Sequence, residues 1–241
     1  IAAEGKCECE SSQYGKMISV FFANAKNLWF MSEAQKSVYL GFYPFLDKPT
    51  TRVLSSVFSQ ETLDFIQKKE STKRNDIWLI QDSQSWVKGT EDAVNFAKKN
   101  NLKYELFSGL SHKEVLDKFS KYKGFIFLPR GYDTCPRTVI EAKLLGCSLI
   151  LNENVQHKHE PWFDGSIEGI LEYLKERPQT FWSEIYKNAP LPTQPAENEN
   201  THFKIVVPVY NSEQWIARCL ESIRKQEYKN YQCIVVDDMS T

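Results

Sequence analysis

One stretch of the sequence, LPRGYDTCPRTVIEAKLLG, gathers basic, hydroxyl and acidic side chains around the predicted start of a helix. The free N–H groups and the dipole at a helix start suit a phosphate group. Arg130 and Asp133 precede the helix, and Arg137 and Thr138 lie in its first turn, where they add donors. Glu141 lies one turn further on, where its carboxylate suits sugar hydroxyls better than phosphate. The alternative, which the spacing leaves open, is an ordinary helix start with a solvated Glu141 on its outer face.

A second stretch, QCIVVDD near the C-terminus, ends an apolar run on two adjacent carboxylates, Asp237 and Asp238. An earlier apolar run, KIVVPV, leads to Tyr210 in the same way. Ligands of parallel sheets bind beyond the carboxyl ends of the strands, so these residues are candidates for a binding site. The alternative is a strand that ends in a polar turn, with Tyr210 as a core aromatic residue.

The elements that position these residues follow from the alternation of short apolar runs with amphipathic runs between residues 76 and 175. This pattern predicts parallel βαβ units, hence an α/β fold with a Rossmann-like parallel sheet and helices on both faces. Ser111 and Glu114 form a predicted capping box, Thr90 a predicted helix cap, and Gly146 a helix stop. The strands are predicted at 76–81, 102–107, 124–129 and 147–152, with two more at 27–32 and 51–56 upstream.

Changes in composition divide the chain into four predicted segments. Residues 1–26 are a lead-in, 27–187 the Rossmann-like domain, 188–202 a linker rich in proline and asparagine, and 203–241 a further βαβ unit. A single βαβ unit cannot bury both faces of its strands. We therefore expect 203–241 to be the truncated start of a second domain, and to be poorly ordered, docked against another surface, or self-associated.

Composition excludes several classes of function. The net charge of −1 and the sequence pI near 6.5 argue against a nucleic-acid partner. No apolar run reaches the length of a transmembrane segment, and the N-terminus lacks the apolar core of a secretory signal. Six cysteines are too sparse for a disulfide scaffold, which favours a cytoplasmic location. Cys7 and Cys9 form a close pair in the sequence, which we interpret as part of a terminal segment rather than a metal site. His157 and His159 form a second close pair, which we interpret as part of a surface loop rather than a metal site.

Residues 27–187 resemble the C-terminal, Rossmann-like domain of retaining GT-B glycosyltransferases. The resemblance rests on the spacing Asp133-x7-Glu141, on the following EAKLLGCSLILNE, and on SWVKG, which resembles the family's lysine-glycine segment. It implies that Glu141 holds the nucleotide's ribose and that Lys88 faces the donor phosphates. Arg130, Asp133, Arg137 and Thr138 would complete the donor site, without a cofactor.

Three positions depart from the GT-B pattern. Asp133 replaces a glutamate, and Ser83 replaces an arginine. The segment Thr134-Cys135-Pro136 replaces a flexible Gly-Phe-Gly loop, and Pro136 lacks an N–H group. These departures support an alternative in which residues 27–187 are a non-catalytic binding or scaffold module. A flavodoxin-like or phosphoacceptor domain is a weaker alternative, because only Asp82 follows the first strand where an acidic cluster is required.

Residues 203–241 are similar to the opening of inverting GT-A glycosyltransferases. The matching elements, in order, are IVVPVYN, CLESIRKQ and IVVDDMST. The resemblance implies that Pro208 and Tyr210 shape a nucleoside pocket, that Asp238 accepts hydrogen bonds from the base, and that Asp237 neighbours it. The family's metal-binding motif and catalytic base come later in that fold, so Mg²⁺ or Mn²⁺ is expected only with a complete GT-A domain.

Together, these resemblances imply part of a tandem glycosyltransferase. The complete enzyme would transfer a sugar from a nucleotide-sugar donor to a glycan or glycolipid acceptor, such as a surface polysaccharide. In the GT-A part, a carboxylate would activate the acceptor and a divalent cation would bind the diphosphate. We expect this chain alone to be inactive.

Overall fold

The computed structural model describes residues 13–69, 74–188 and 202–237 of the chain. Internal contacts divide it into two units, Ile1–Asn188 (unit 1) and Ala189–Thr241 (unit 2). Cys7 and Cys9 lie outside the described residues. No helix among these residues has both the length and the apolar character needed to span a membrane.

The N-terminal part of unit 1 contains three helices and two short strands. They are α1 (Gln13–Asn24), β1 (Leu28–Phe30), α2 (Glu33–Phe42), β2 (Thr51–Val53) and α3 (Gln60–Lys68). The predicted strands at 27–32 and 51–56 are shorter in the structure and form their own two-stranded parallel sheet. Helix α1 lies in the predicted lead-in, where no helix was expected. Phe22 anchors it through edge contacts with the rings of Tyr39 and Tyr43.

The centre of unit 1 is a four-stranded parallel sheet. Its elements are β3 (Trp78–Gln81), α4 (Thr90–Lys99), β4 (Tyr104–Phe107), α5 (His112–Lys121), β5 (Gly124–Phe127), α6 (Arg137–Leu144) and β6 (Ser148–Leu151). The strand order is β4-β3-β5-β6, and every neighbouring pair is parallel. The chain therefore runs from β3 outward to β4, and then crosses back to β5 and onward to β6.

Helices cover both faces of this sheet, which confirms the predicted α/β class. Ala93 and Ala97 of α4 pack on Ile80 and Ile126 on one face. On the other face, α3, α5 and α6 surround a larger core in which Phe125 is fully buried. Two of the predicted local signals are also confirmed. The Ser111–Glu114 capping box begins α5, and Gly146, with a φ of 80°, follows the end of α6.

Two helices complete unit 1, α7 (Pro161–Asp164) and α8 (Ile167–Asn188). The runs SIEGILEYLKE and QTFWSEIYKN predict two separate helices, the second with its aromatic residues packed back on the domain. The structure instead has one helix of 22 residues with Pro178 inside it. Proline removes one internal hydrogen bond, and packing against neighbouring elements compensates for such a loss. The predicted return of the α8 aromatic residues to the core is only partly correct. Phe181 contacts Trp29, with ring centroids 4.8 Å apart, whereas Trp182 is 51% exposed.

Unit 2 consists of β7 (Phe203–Val209), α9 (Glu213–Arg224) and β8 (Tyr231–Asp237). The two strands are parallel, as expected for a βαβ unit. Tyr231 donates its hydroxyl to the carbonyl of Ile223 at 3.0 Å, which ties the strand pair to the helix. On the opposite strand face, Val206 is 58% exposed and Val236 is 48% exposed. The predicted covering of this face by another surface stays a prediction.

Candidate functional site

The strand order of unit 1 reverses between β3 and β5, and a crevice opens at such a point in open parallel sheets. Two loops meet there, residues 82–89 after β3 and residues 128–136 after β5. The Lys88 ammonium contacts Asp133 Oδ2 at 2.8 Å across the crevice. The backbone N–H of Arg130 donates to the carbonyl of Val87 at 2.9 Å. The structure therefore brings Lys88 and Asp133, both predicted from the sequence, into direct contact.

Gly89 explains how the first loop approaches the second so closely. Its φ is 66°, and a Cβ atom at this position would lie 1.9 Å from the carbonyl oxygen of Leu128. Only glycine fits this conformation and this contact. Gly89 is also the residue that caps α4, whereas the sequence pattern predicts Thr90. The Thr90 hydroxyl instead donates to the carbonyl of Gln81 and accepts from the N–H of Ser83, which fixes the turn after β3.

The second loop is held from the side of β6. Asp133 donates its N–H to the carbonyl of Asn154 at 2.8 Å and accepts from the N–H of Gln156 at 3.0 Å. The side-chain amides of Asn152 and Asn154 both donate to the carbonyl of Pro129. These bonds set the position of the Asp133 carboxylate, which is 15% exposed.

Arg130 lies in the loop after β5, and its side chain is 41% exposed. Its guanidinium binds the Asp92 carboxylate in two contacts of 2.5 and 3.0 Å and Glu91 at 2.8 Å. These carboxylates raise the pKa of the Arg130 guanidinium, and the hydrogen bond with Asp92 makes the largest contribution. In this arrangement the two carboxylates in the first turn of α4 neutralise the positive charge of Arg130, and the guanidinium is not directed toward a phosphate.

The start of α6 offers fewer donors than the sequence pattern suggests. Pro136 occupies the cap position without a side-chain cap, and proline has no N–H group to offer. The exposed Arg137 places its guanidinium over the ring of Phe58, 4.6 Å from the centroid. Thr138 is half-buried in the first turn. An anion at this helix start would therefore meet only part of the donor set predicted from the sequence.

Glu141 is the buried carboxylate of the site, with 2% of its surface exposed. The alternative of a solvated glutamate on the outer face of the helix is therefore wrong. His112, the first residue of α5, places its Nε2 atom 2.8 Å from Glu141 Oε1. Burial raises the pKa of the Glu141 carboxyl, and the hydrogen bond with His112 and the charge of Arg137 oppose that rise.

His112 is the site residue that the sequence analysis missed. The signal was present, because the Ser111–Glu114 capping box fixes the start of α5 at the carboxyl end of β4. A side chain in this first turn necessarily lies at the same rim as the residues that follow β3 and β5. The pairing of His112 with Glu141 required knowledge of how α5 and α6 pack, which no local pattern supplies.

In unit 2, the parallel register aligns the predicted nucleoside-binding residues at one end of the strand pair. Pro208 pairs with Val236 and Val209 with Asp237, and Tyr210 follows directly. Tyr210 is 61% exposed, so it is not the core aromatic residue of the alternative interpretation. Its carbonyl accepts from the hydroxyl of Ser212 at 2.9 Å. Asp238 lies outside the described residues.

His157 differs from the expectation of a surface loop. It is fully buried, stacked on Trp162 with centroids 5.7 Å apart, and neither ring nitrogen has a hydrogen-bond partner among the described residues. Burial lowers the pKa of His157 to about 4. His159 is exposed and contacts Glu153 at 3.1 Å. The described residues contain no group of three or more His, Cys, Asp or Glu side chains able to hold a metal ion.

Two open depressions of about 460 Å³ lie elsewhere on unit 1. One is lined by Lys143, Lys158 and Phe163 beside β6, and the other by Phe58 and Gln179 between α3 and α8. Neither is lined by a residue predicted for the donor site. We base the candidate site on the crevice at the strand-order reversal instead, because charged side chains from separate elements meet there.

Comparison with known proteins identifies similarity in the C-terminal part of the chain. Residues 204–241 match the family model described as glycosyl transferase family 2. A segment of 37 residues is 51% identical to Glycosyltransferase GlyA of Streptococcus pneumoniae serotype 4, which is 15% of this chain and 5% of that protein. A 37-residue segment is 49% identical to Glycosyltransferase GlyG of the same organism, again 15% of this chain and 12% of that protein.

These matches support the resemblance of unit 2 to the start of a GT-A glycosyltransferase domain. The chain spans only a small share of the length of either relative, 5% and 12%. The matched family segment lies within unit 2. The resemblance of residues 27–187 to GT-B domains stays a prediction.

Proposed function

We propose that this chain is part of a glycosyltransferase that uses a nucleotide-sugar donor and a glycan or glycolipid acceptor. The observation that carries the proposal is the match of residues 204–241 to glycosyl transferase family 2. The parallel register supports it, because Tyr210 and Asp237 are brought to the same end of the strands.

In unit 2, the proposed task is to hold the nucleoside of the donor. The exposed ring of Tyr210 offers a surface on which a nucleobase stacks, a contact worth about 1–3 kcal/mol per base in other proteins. A carboxylate at the strand end accepts hydrogen bonds from N–H groups of the base. As the resemblance implies, a divalent cation is expected only with a complete GT-A domain.

In unit 1, the proposed task is to hold a nucleoside diphosphate in the crevice between β3 and β5. Lys88 is 37% exposed and able to exchange its contact with Asp133 for a diphosphate oxygen. Charge-assisted hydrogen bonds of this kind are stronger than neutral ones. Glu141 would accept hydrogen bonds from the ribose hydroxyls, as the resemblance to GT-B domains implies.

A second candidate function for unit 1 is a non-catalytic binding or scaffold module. The ion pairs favour it, since Arg130 is held by Asp92 and Glu91 and Lys88 by Asp133. A crevice whose cations already have internal partners attracts an anion less strongly than one with free cations.

Titration calorimetry of the whole chain with UDP, and with GDP in parallel, tests the proposal. We expect Tyr210→Ala to weaken binding at the unit 2 site about tenfold, since stacking on an aromatic ring contributes on this scale. Tyr228→Ala, at the opposite end of the strands, is the matched control. Glu141→Gln should weaken binding in unit 1, whereas Glu168→Gln, on the exposed surface of α8, should not.

The outcomes separate the two candidates. Loss of binding only in Tyr210→Ala, with Glu141→Gln unchanged, supports the scaffold function for unit 1. No detectable binding of either nucleotide by the unmodified chain contradicts the proposed role of both units.

A further inference from the structure

The contact between His112 and Glu141 joins two helices at the rim of the sheet. Glu141 is 2% exposed, whereas the side chain of His112 is 51% exposed. The bond uses Oε1 of Glu141, and no described residue hydrogen-bonds the other oxygen, Oε2. Oε2 is also not sealed in the core, because the unpaired polar atoms sealed from solvent in the described structure belong to Trp78 and His157. One oxygen is therefore anchored, and the other retains some access to solvent.

Few neighbouring groups influence whether the Glu141 carboxyl is ionised. Burial opposes the ionised carboxylate and raises its pKa. The charged or titratable groups that act against this rise are His112, from α5, and Arg137, from the helix of Glu141 itself. Of these two, His112 makes the hydrogen bond to the carboxylate, so its removal has the larger effect on the charge.

We propose that His112 is a positioning residue, which holds Glu141 ionised and oriented at the rim so that Oε2 accepts the hydroxyl groups of a nucleotide's ribose. This inference rests on the proposed function of unit 1. His112 acts through Glu141 and need not contact the ligand. With its proton on Nε2, the imidazole donates to Oε1 of the carboxylate.

The local structure gives His112 little freedom to leave this position. The capping box of Ser111 and Glu114 fixes the first turn of α5, and Leu116 and Phe119 anchor the helix in the core. The bond to Glu141 is therefore built into the packing of α5 on α6. It does not depend on a mobile loop.

The test compares UDP binding by the whole chain near about pH 6 and near about pH 8.5, because a carboxyl with a raised pKa becomes more fully ionised as the pH rises. His112→Leu removes the donor and keeps much of the volume, while His112→Gln keeps an N–H donor. We expect His112→Leu to bind UDP at least about tenfold more weakly than the unmodified chain near pH 6. Near pH 8.5, where ionisation of Glu141 is more favourable, the difference should narrow to within about threefold.

His112→Gln is the rescue variant and should stay within about threefold of the unmodified chain at both pH values. The Glu141→Gln variant should bind UDP weakly at both pH values, because a glutamine side chain cannot ionise. Thermal unfolding checks that each variant is folded, and His112→Ala replaces His112→Leu if the leucine prevents folding. The protonation of the UDP phosphates also changes with pH. Because it is the same for every variant at a given pH, it cancels when each affinity is expressed relative to that of the unmodified chain.

Two results overturn the inference. His112→Leu that binds like the unmodified chain at both pH values shows that Glu141 needs no positioning. An equal loss at both pH values indicates a merely structural role for His112. If Glu141→Gln itself binds UDP normally, the proposed ribose site in unit 1 is absent and the proposed function of that unit fails with it.

Discussion

The two units of this chain differ in how they are built and in what their sequences resemble. Unit 1 surrounds its four-stranded sheet with helices and buries a core on each face, and Phe125 and Phe119 of the larger core are fully inaccessible. Unit 2 has two strands and one helix, and α9 contains no buried residue. Yet the family match lies in unit 2, over residues 204–241.

This difference shows that a recognisable sequence pattern and a closed core are separate properties. The family match of unit 2 covers two strands and a helix whose side chains are mostly exposed, and residues need not be buried to form a recognisable pattern. The core of unit 1 is specified by apolar residues that many α/β proteins share. The function of unit 1 must therefore be argued from its crevice, and that of unit 2 from its similarity.

The largest expected effect comes from truncating a core residue of unit 1, and the comparison is an apolar residue on the open strand face of unit 2. Phe125→Ala should lower the free energy of unfolding by about 3–5 kcal/mol, because it opens a cavity in a closed core. Val206→Ala, on the open strand face of unit 2, should change it by less than about 0.5 kcal/mol. Urea unfolding followed by circular dichroism measures both. A cost for Val206→Ala that approaches that of Phe125→Ala would mean that the open face is covered in solution.

A comparable effect is expected at the crevice itself. Gly89→Ala should destabilise unit 1 by about 3 kcal/mol, since a side chain here adopts a strained backbone conformation and collides with Leu128. Gly109→Ala is the control, because its φ of 65° is equally positive but no atom lies within 4 Å of its Cβ position. It should cost only about 1 kcal/mol. Equal costs for the two variants would contradict the tight contact between the loops.

His157 should make unit 1 sensitive to acid. Its pKa is lowered from 6.5 to about 4 in the folded protein, so the unfolded chain binds the proton first as the pH falls. The contribution of His157 to stability is complete above pH 6.5 and decreases between 6.5 and 4. The expected loss is about 2 kcal/mol by about pH 5. His157→Leu should remove this part of the pH dependence, as urea unfolding at several pH values would show; an unchanged slope would indicate that the ring is hydrated or paired in solution.

The smallest expected effect is on UDP binding, and it distinguishes the two cationic side chains near the crevice, Lys88 and Arg130. Lys88→Ala should weaken UDP binding about tenfold, since it removes a charge-assisted contact at the crevice. Arg130→Ala should change it less than about twofold, because Asp92 and Glu91 already bind the guanidinium. Calorimetry with the unmodified chain as reference measures both. A larger effect for Arg130 would mean that its ion pairs open when the ligand binds.

Much of the fold follows from local patterns in the sequence. Alternating apolar and amphipathic runs predict the strands and helices from β3 to β6, and the capping box of Ser111 and Glu114 places the start of α5. The patterns do not predict α1 or the continuity of α8 through Pro178, because tertiary packing decides both.

The candidate site follows from the sequence only in part. The positions of Lys88, Asp133 and Glu141 on strand ends and an adjoining helix are predictable from the order of elements. The pairing of Glu141 with His112 and the diversion of Arg130 to Asp92 depend on side-chain contacts between elements that are distant in sequence. Periodicity and spacing carry no information on such contacts.

Hydrogen exchange of the whole chain, with and without UDP, tests the central claim most directly, because it reports each segment separately. Binding at both proposed sites predicts slower exchange in peptides that contain Val209–Asn211 of unit 2 and in those that contain Ile140–Ala142 of unit 1, with no change in the exposed turn at Gly165. Unchanged exchange in the segment around Tyr210 would contradict the assignment of unit 2 to nucleotide binding, and unchanged exchange around Glu141 would contradict the donor site in unit 1.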